Sequence, residues 1–534
     1  MDDAPLDAAA ETRRATPRDD LIETPFVSDL AVQADGEDLG VTTLVEEPPR
    51  EFLAEAAPET PEDLVKPFSS LVPAIIGTAM LMQTLNATVL SNALPTIARS
   101  LHENPVNLNT VMSVYLLASA VFLPVSGWAA DKFGAKRIFM LAIVVYATAC
   151  VACGFAQSLT GLLLARLAQG AAGAMMGPVG RLVLLRSTPK HDLVRAMSVL
   201  TMPSLLGPVV GPPIGGFIVT YFSWRWVFFF NIPIAILGFF LVWRFIKDIK
   251  EEDAPRLDWL GLVLTGIGMA GVVYGFENLG RGAMLPAVIG AMMGGGLVCL
   301  SLYVWHARRT PYAILDLSLL RVRTFFTSVV GGGFMRMGMG ASPFLLALLL
   351  QVGFGMNAFQ AGLMTFASAA AALVMKTAAP PILQRFGFKT TLSVNAVIVA
   401  VTFMSYALFT KETPHWLIYA VLLAGGFFRS LQFTSLNGMA FADIEQPRMS
   451  RASTMSTMGQ QLAQSIGLGV AATVLHVSMR LGHVMKPTVP MVGHTFLFVG
   501  GLALVSSLFF FALPKNAGAE LNAAAPRGPR MRTA

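Results

Sequence analysis

Several arginines stand inside long apolar stretches of the sequence, where an ionised side chain is costly to bury. Arg166 lies near the beginning of one stretch, and Arg336 and Arg429 lie near the middle of two others. A charge in such a position is usually paired or functional, and a guanidinium can bind a carboxylate through two parallel hydrogen bonds. We expect Arg336 to face a central cavity. Further candidates for this cavity are Gln83, Asn86, Tyr115, Arg429 and Gln432.

Other charges near the apolar stretches have simpler interpretations. Lys376 lies about one turn from the end of its stretch, so its long side chain is expected to extend to the membrane interface. Arg166 has the same alternative, because it is also close to an end. Glu277 lies beside Arg281 at the end of a stretch, as in a surface ion pair.

The histidines and cysteines form no recognisable catalytic or metal-binding pattern. Most of the seven histidines lie in polar breaks, and the chain has no HExxH or GxSxG run. Cys150-Val-Ala-Cys153 has CxxC spacing but lies inside an apolar stretch without a second pair, so we interpret it as small packing residues. The sequence therefore predicts no enzyme, no cofactor and no metal site.

The apolar stretches are long and numerous enough to fill a membrane. Charged residues make up 13% of the chain, about half the usual share of a soluble domain, and AVILMFWYC make up 54%. Fourteen mostly apolar blocks, each about 20 residues long and able to cross the hydrocarbon, occupy nearly all of 70–513. We expect an all-α membrane protein with about fourteen transmembrane helices.

Charge divides the chain into segments. The first 66 residues hold 18 of the 32 acidic residues, which predicts a disordered acidic cytoplasmic tail at 1–69 rather than a signal peptide. The other predicted segments are a six-helix bundle at 70–245, a linker with two extra transmembrane helices at 246–322, a second six-helix bundle at 323–513 and a cytoplasmic C-terminal tail at 514–534.

Lys and Arg are distributed unevenly between the two sides of the predicted helices. With the amino terminus in the cytoplasm, the cytoplasmic breaks and C-terminal tail carry 22 of them and the opposite breaks carry six. Because positive charge concentrates on the cytoplasmic side, we expect both termini in the cytoplasm of a bacterial-type inner membrane. These basic breaks would face anionic lipid, so the pI near 9.3 requires no nucleic-acid partner.

A short sequence recurs in the two halves. Asp131-Lys-Phe-Gly-Ala-Lys-Arg137 follows the second stretch, and Gln384-Arg-Phe-Gly-Phe-Lys-Thr390 follows the tenth. Two halves related by a repeat are typical of transporters.

Five motifs follow one another along 70–513. They read Gly127-Trp-Ala-Ala-Asp131-Lys-Phe-Gly134-Ala-Lys136-Arg137, Leu164-Ala-Arg166-Leu-Ala-Gln169-Gly170-Ala-Ala-Gly173, Gly207-Pro208-Val-Val-Gly211-Pro212-Pro213-Ile-Gly215-Gly216, Trp224-Arg-Trp-Val-Phe-Phe-Phe-Asn231-Ile-Pro233 and Asp258-Trp-Leu-Gly261. In this order they resemble the fourteen-span drug:proton antiporter family of the major facilitator superfamily. The resemblance implies two six-helix bundles with an inserted two-helix hairpin.

The resemblance also implies roles for the first two motifs. Gly127 would let two helices approach closely, and Gly134 would permit a tight turn. The charges beside them would hold a cytoplasmic gate, and the second motif would face the bundle interior and couple proton and substrate movement. The gating and coupling residues expected in this way are Gly127, Asp131, Gly134, Lys136, Arg137, Arg166, Gln169 and Gly170.

The third motif lies on the fifth span. Its glycines recur every four residues and share one face, which allows close helix contact, and its prolines bend the helix. We expect this face to form a rocking contact between the two halves that favours export; the alternative is a packing face without that role. The residues of this antiporter helix are Gly207, Pro208, Gly211, Pro212, Gly215 and Gly216.

Asn86 departs from the family pattern. It stands where the first-span motif usually has an aspartate. An amide can hydrogen-bond a ligand but cannot exchange a proton, so proton coupling cannot rest on this position.

The function implied by the resemblance is proton-coupled efflux of amphipathic drugs or toxic small molecules by alternating access, with a periplasmic adaptor as a further partner. One alternative is transport of a small organic anion or metabolite, recognised by Arg336 and Arg429. A second is a non-transporting membrane sensor that uses its acidic tail.

Overall fold

A chain that crosses hydrocarbon must satisfy its backbone polar groups internally, and a helix does so within one segment. The computed structural model is helical throughout its regular structure over the residues that it describes, which are 70–187, 193–246, 257–278, 284–310, 313–445, 448–484, 486–514 and 517. The tail predicted at 1–69, nearly all of the tail at 514–534, part of the predicted linker, Arg281 and the side chain of Glu277 lie outside the described residues.

Two groups of six helices and a hairpin make up the described chain. The first group is α1 Leu71–Ser100, α2 Asn109–Phe133, α3 Ala135–Phe155, α4 Leu159–Ser187, α5 Leu193–Tyr221 and α6 Trp226–Phe245. The hairpin is α7 Trp259–Asn278 and α8 Pro286–Ala307. The second group is α9 Arg323–Gly353, α10 (358–386), α11 (388–405), α12 His415–Phe441, α13 Met449–Leu481 and α14 Val489–Phe511.

The predicted number of spans agrees with these helices. Twelve stretches of the described chain are long and apolar enough to cross a membrane. One of them, Ala358–Leu408, contains both α10 and α11, and the described apolar part of α5, Leu206–Tyr221, is counted separately as a shorter helix. With α10 and α11 taken as two spans and α5 added, the described chain has about fourteen.

Glycine turns mark the two ends of the molecule. Gly134 joins α2 to α3 with φ of 98°, and Gly387 joins α10 to α11 with φ of 71°. These positive φ values favour glycine, so the sequence repeat has the same backbone requirement in both bundles. We call this end the Gly134 end. The opposite end, where Gly355 (φ 75°) lies between α9 and α10, is the Gly355 end.

The two bundles meet along α1 with α9, α2 with α13, and α5 with α10. The hairpin lies over one of these seams, because α7 packs against both α2 and α13. Trp128 near the end of α2 and Trp259 at the start of α7 make an edge-on ring contact with centroids 5.9 Å apart.

Asp258, the acid that begins the hairpin motif, contacts both helices of the hairpin. Its Oδ1 accepts a hydrogen bond from the Gly261 N–H at 2.8 Å, which caps the start of α7. The same oxygen lies 2.8 Å from Nε2 of His306, near the end of α8. One carboxylate therefore joins the two helices of the hairpin at the Gly134 end.

An ion pair joins the segment before α9 to the start of α13. Arg448 Nη2 donates to Asp316 Oδ2 at 2.9 Å, and the Ser318 N–H and hydroxyl also donate to this carboxylate. Burial acts to raise the pKa of Asp316, but the hydrogen bonds from Ser318 and Arg448 outweigh it and leave the pKa below its ordinary value of 3.8.

We expect Asp316→Asn to destabilise the protein slightly, by about 0.2–1 kcal/mol, because the pair is partly exposed to solvent. A depressed carboxyl pKa contributes stability above the ordinary pKa and loses it only as pH falls through the lower, folded value. The difference in thermal unfolding midpoint between Asp316→Asn and the parent, measured in detergent, should therefore be the same at every step from about pH 8 to about pH 5. A difference that vanishes within this range would contradict the pKa direction.

Candidate functional site

A cavity of about 480 Å³ lies between the two bundles. Eight helices contribute to its wall. Its lining residues are Ala87, Thr88, Ser91 and Asn92 from α1; Met112, Tyr115 and Leu116 from α2; Arg166 from α4; Pro208, Val209 and Pro212 from α5; Met339, Gly340, Ser342, Pro343 and Leu346 from α9; Thr365, Ser368, Ala369, Ala372, Leu373 and Lys376 from α10; Gly426, Arg429, Ser430 and Phe433 from α12; and Gln464 from α13.

Contacts between the bundles close the cavity toward the Gly355 end. A Cβ atom at Gly216 of α5 would lie 2.4 Å from the Ala358 carbonyl oxygen of α10, so the two backbones touch there. Gly362 approaches the Pro212 carbonyl oxygen equally closely, with 2.3 Å from its Cβ position. Gln351 of α9 donates to the Asn92 carbonyl of α1 at 2.9 Å. Close backbone contacts at two glycines and a hydrogen bond from a side chain to a backbone carbonyl therefore form this closure.

The wall of the cavity becomes more exposed toward the other end. Asn92, Pro212 and Leu346, near the Gly355 end, are buried, whereas Leu373 and Lys376, farther along α10 toward the Gly134 end, are exposed. The structure therefore describes a state in which the cavity is closed at the Gly355 end and accessible from the Gly134 end.

Arg166 is buried in the wall with 1% exposure and is held by neutral groups. Its Nε donates to the Val111 carbonyl at 3.1 Å, and its Nη1 donates to the side-chain oxygens of Asn86, at 3.0 Å, and Gln169. The guanidinium also lies over the Tyr115 ring, 4.4 Å from the centroid. Packing against Val111 and Tyr115 fixes Arg166 as part of the cavity wall rather than at the membrane interface.

Arg429 is held in the same way in the second bundle. Its Nη1 donates to Ser342 Oγ of α9 at 2.7 Å, and its Nη2 donates to Ser368 Oγ of α10. Its Nε donates to the Gly425 carbonyl one turn earlier in α12, at 3.1 Å. Three helices therefore position this guanidinium through uncharged oxygens.

The cavity is strongly positive. Arg166, Lys376 and Arg429 line it, and no acidic side chain is among the lining residues in the described part of the chain. The sequence explains this, because the eight helices that form the wall carry one acidic residue in total, Asp131 in the last turn of α2.

Several predicted cavity residues lie elsewhere. Tyr115 and Arg429 line the cavity, but Asn86 lies behind Arg166, and Gln83 donates to the Gly173 carbonyl at 3.2 Å. Gln432 faces α11, where its Oε1 accepts from Asn395 at 2.7 Å.

The expectation that Arg336 faces the cavity is wrong. Its side chain, 1% exposed, lies along its own helix and toward α12, where Nη1 donates to the Ser328 carbonyl at 2.6 Å and Nη2 to Asn437 Oδ1 at 3.0 Å. These two acceptors direct it away from the cavity. Its position near the middle of α9 did not reveal which face it occupies.

The glycine face of α5 also needs correction. Cβ atoms at Gly207 and Gly211 would lie 2.3 Å and 2.0 Å from the hydroxyl oxygens of Thr84 and Thr88, and Gly215 packs on Val89. All three partners are on α1 of the same bundle. The contact between bundles is made instead by the neighbouring face of α5, which carries Pro212 and Gly216, and Pro208 and Pro212 line the cavity.

Some of the predicted gating and coupling residues make contacts in the structure, and Gly127 does not make the contact expected of it. Lys136 donates to the Trp243 carbonyl at the end of α6, at 2.7 Å, and Gln169 is buried against Arg166. Asp131 and Arg137 each have an interaction in the structure. Gly127, by contrast, does not mediate close helix contact, because its Cβ position has no atom within 4 Å. The contact expected at Gly127 is therefore not formed among the described residues.

Asn92, Ser342, Ser368 and Lys376 are among the wall residues that were not predicted as cavity residues. Asn92 donates to the Pro212 carbonyl at 3.1 Å. The two serines have no charge to mark them in an apolar helix. Lys376 was expected at the interface, but it follows Ser368 by eight residues, about two turns, and so lies on the same face of α10.

Gly170 and Gly127 differ in the consequence of adding one methyl group. A Cβ atom at Gly170 would lie 2.4 Å from the Tyr115 carbonyl oxygen, a backbone atom that cannot move without separating α2 and α4. We expect Gly170→Ala to cost about 1–3 kcal/mol of stability and Gly127→Ala to leave stability unchanged. Thermal unfolding midpoints of both variants in detergent would check this, and equal midpoints would contradict it.

The comparisons with known proteins agree with this architecture. The sequence profile of the Major Facilitator Superfamily matches residues 76–468 and 328–531. A relative from Pectobacterium atrosepticum, named multidrug resistance protein MdtD, is 34% identical over 403 residues, which are 76% of this chain and 86% of the relative. The "Probable transport protein HsrA" of Haemophilus influenzae is 34% identical over 439 residues, 82% of this chain and 93% of that protein.

Solved structures share the fold at low sequence identity. The POT family transporter PepTSo superposes with a TM-score of 0.64 at 13% identity, over 85% of this chain and 99% of that one. A D-xylose-proton symporter gives a TM-score of 0.60 at 13% identity, over 84% and 98%. The relatives are transporters, so this chain is a transporter rather than an enzyme. With two six-helix bundles around a central cavity, the chain belongs to the Major Facilitator Superfamily of membrane transporters.

Proposed function

We propose that this protein exports amphipathic small molecules across the inner membrane by alternating access, in exchange for protons. The observation that carries the proposal is the cavity between the bundles, which contacts between α5 and α10 close at one end while the other end remains accessible. The name of the MdtD relatives supports export of drug-like compounds.

The distribution of basic residues supports the direction. The breaks at the Gly134 end, together with the C-terminal tail, carry 22 Lys and Arg, so we assign this end and both termini to the cytoplasm. The described state then faces inward, which is the state in which an exporter loads its substrate.

The wall chemistry supports an amphipathic substrate. Met112, Leu116, Met339 and Phe433 provide flexible or aromatic apolar surface, and the serines and arginines provide polar contacts. A cavity with this mixture can accept an apolar body with one polar group.

Proton exchange would not use a carboxylate in the wall of the cavity. The wall helices carry Asp131 alone, at the Gly134 end, in the motif whose Lys136 and Arg137 belong to the proposed gate. We therefore assign the proton-linked step to Asp131 at this gate. A periplasmic adaptor would bind at the Gly355 end, which faces the periplasm in this orientation.

The test uses everted membrane vesicles that contain the parent protein or Gly216→Val. Cationic, neutral and anionic amphiphiles are added while the pH of the lumen is followed. Release of protons from the vesicle lumen that depends on an added amphiphile, and that is lost in Gly216→Val, would support exchange of substrate for protons. Uptake of an amphiphile without proton release would remove the proton from the proposal, and no uptake of any compound would favour the non-transporting sensor.

A further inference from the structure

Among the residues that the structure describes, the two arginines in the cavity wall have no carboxylate partner. Arg166 binds amide and carbonyl oxygens, and Arg429 binds two serine hydroxyls and a carbonyl. Neutral acceptors fix the direction of a guanidinium but leave its positive charge uncompensated.

The wall helices cannot supply the missing negative charge. Their single acid, Asp131, is in the last turn of α2, whereas Tyr115, which packs on Arg166, is near the opposite end of that helix. A positive, largely apolar cavity is more stable when an anion occupies it, because the interaction between charges is strong where water is scarce.

Lys376 and Arg429 are arranged so that they can bind the charged headgroup of a ligand whose apolar tail contacts the rest of the wall. Lys376 lies on the same face of α10 as Ser368, which holds Arg429, and it is exposed toward the Gly134 end. A ligand that enters from this end would meet Lys376 first and then Arg429. Met339 and Phe433 line the wall beside them and provide apolar contact.

We propose that the substrate is an amphipathic anion, such as a carboxylate or sulfonate on an apolar skeleton, whose headgroup binds Arg429 with Lys376 at the entrance and Arg166 across the cavity. This rests on the proposed function, in which this cavity is the transport site. One alternative from the sequence was an organic anion recognised by Arg336 and Arg429. The site proposed here retains Arg429 and has Lys376 and Arg166 in place of Arg336. A membrane potential that is negative inside favours outward movement of such a substrate.

The test compares three probes with one skeleton: pyrenebutanoate, pyrenebutanol and a pyrenebutyl trimethylammonium salt. Binding to the purified protein in nanodiscs of zwitterionic lipid is followed by pyrene fluorescence, with empty nanodiscs as the blank. Pyrenebutanoate should bind about 10- to 100-fold more tightly than the ammonium probe. Equal or tighter binding of the ammonium probe, or no binding of pyrenebutanoate above the blank, would overturn the proposal.

The structure provides matched variants. Arg429→Gln and Lys376→Gln should each weaken pyrenebutanoate binding by about tenfold or more and leave pyrenebutanol binding unchanged. Arg336→Gln removes the same charge from a buried arginine outside the cavity and should leave both affinities unchanged. Arg429→Lys should retain the preference for the anion, which separates lost charge from a folding defect. An equal loss in Arg429→Gln and Arg336→Gln would refute the assignment.

Uptake of the same probes into proteoliposomes separates this inference from the proposed function. If pyrenebutanoate binds as described but no probe is transported, the export proposal fails and the anion site stands. If pyrenebutanol or the ammonium probe is transported while pyrenebutanoate neither binds nor moves, export stands and the anion site is wrong.

Discussion

Gly216→Val is expected to abolish transport while leaving the protein folded. A Cβ atom at Gly216 would lie 2.4 Å from the Ala358 carbonyl oxygen and 2.8 Å from Phe359 Cα, which are backbone atoms of the other bundle. The clash can be relieved by separating the bundles at the Gly355 end, because each bundle keeps its own packing. Closure of this end should therefore become unfavourable and transport should fall about 100-fold or more.

Cysteine labelling can show the change in conformation directly. Gln351 is buried in the closure, so Gln351→Cys reports its opening to a membrane-impermeant maleimide added on the periplasmic side. Cys299→Ser removes the partly exposed native thiol, and Cys150 and Cys153 are buried. Gly216→Val should raise the labelling rate about tenfold. Gly238→Val, with no atom within 4 Å of its Cβ position, is the control. Unchanged labelling and transport in Gly216→Val would show that this contact does not control closure.

Gly211→Leu should prevent correct folding rather than shift the conformation. A Cβ atom at Gly211 would lie 2.0 Å from Thr88 Oγ1 and 2.8 Å from Thr88 Cβ, within the first bundle. A leucine must therefore separate α1 from α5, at a cost of about 3 kcal/mol or more. The expected result is loss of monodisperse protein in size-exclusion chromatography after extraction in detergent.

Gly290→Leu is the matched control for this variant. Gly290 lies in α8 and has no atom within 4 Å of its Cβ position, so the same substitution should give the parent elution profile. Gly211→Ala should also reduce the yield of monodisperse protein. Adding Thr88→Ala to Gly211→Ala should restore part of that yield, because Thr88→Ala removes the oxygen nearest to the new Cβ atom. A normal elution profile for Gly211→Leu would mean that α1 and α5 do not need this close approach.

Apolar blocks and motifs predicted the membrane architecture but not the faces of the helices. The fourteen apolar blocks and the repeat around Gly134 and Gly387 gave the number of helices and their arrangement in two bundles. The same reasoning placed Arg336 in the cavity and the glycine face of α5 between the bundles, and both placements were wrong. A buried polar residue in an apolar helix can face a neighbour or a cavity, and its spacing along the chain is the same in either case.

By itself, the sequence determined that this chain spans a membrane with helices and that its wall helices carry almost no acid. Both follow from composition, because hydrocarbon accepts long apolar helices and a missing carboxylate cannot be restored by folding. Only the tertiary structure decided which cations share the cavity. Arg166, Lys376 and Arg429 come from three helices that are far apart in sequence, and their meeting depends on side-chain packing between α4, α10 and α12. The close approach of Gly216 to α10 likewise depends on how the two bundles pack against each other.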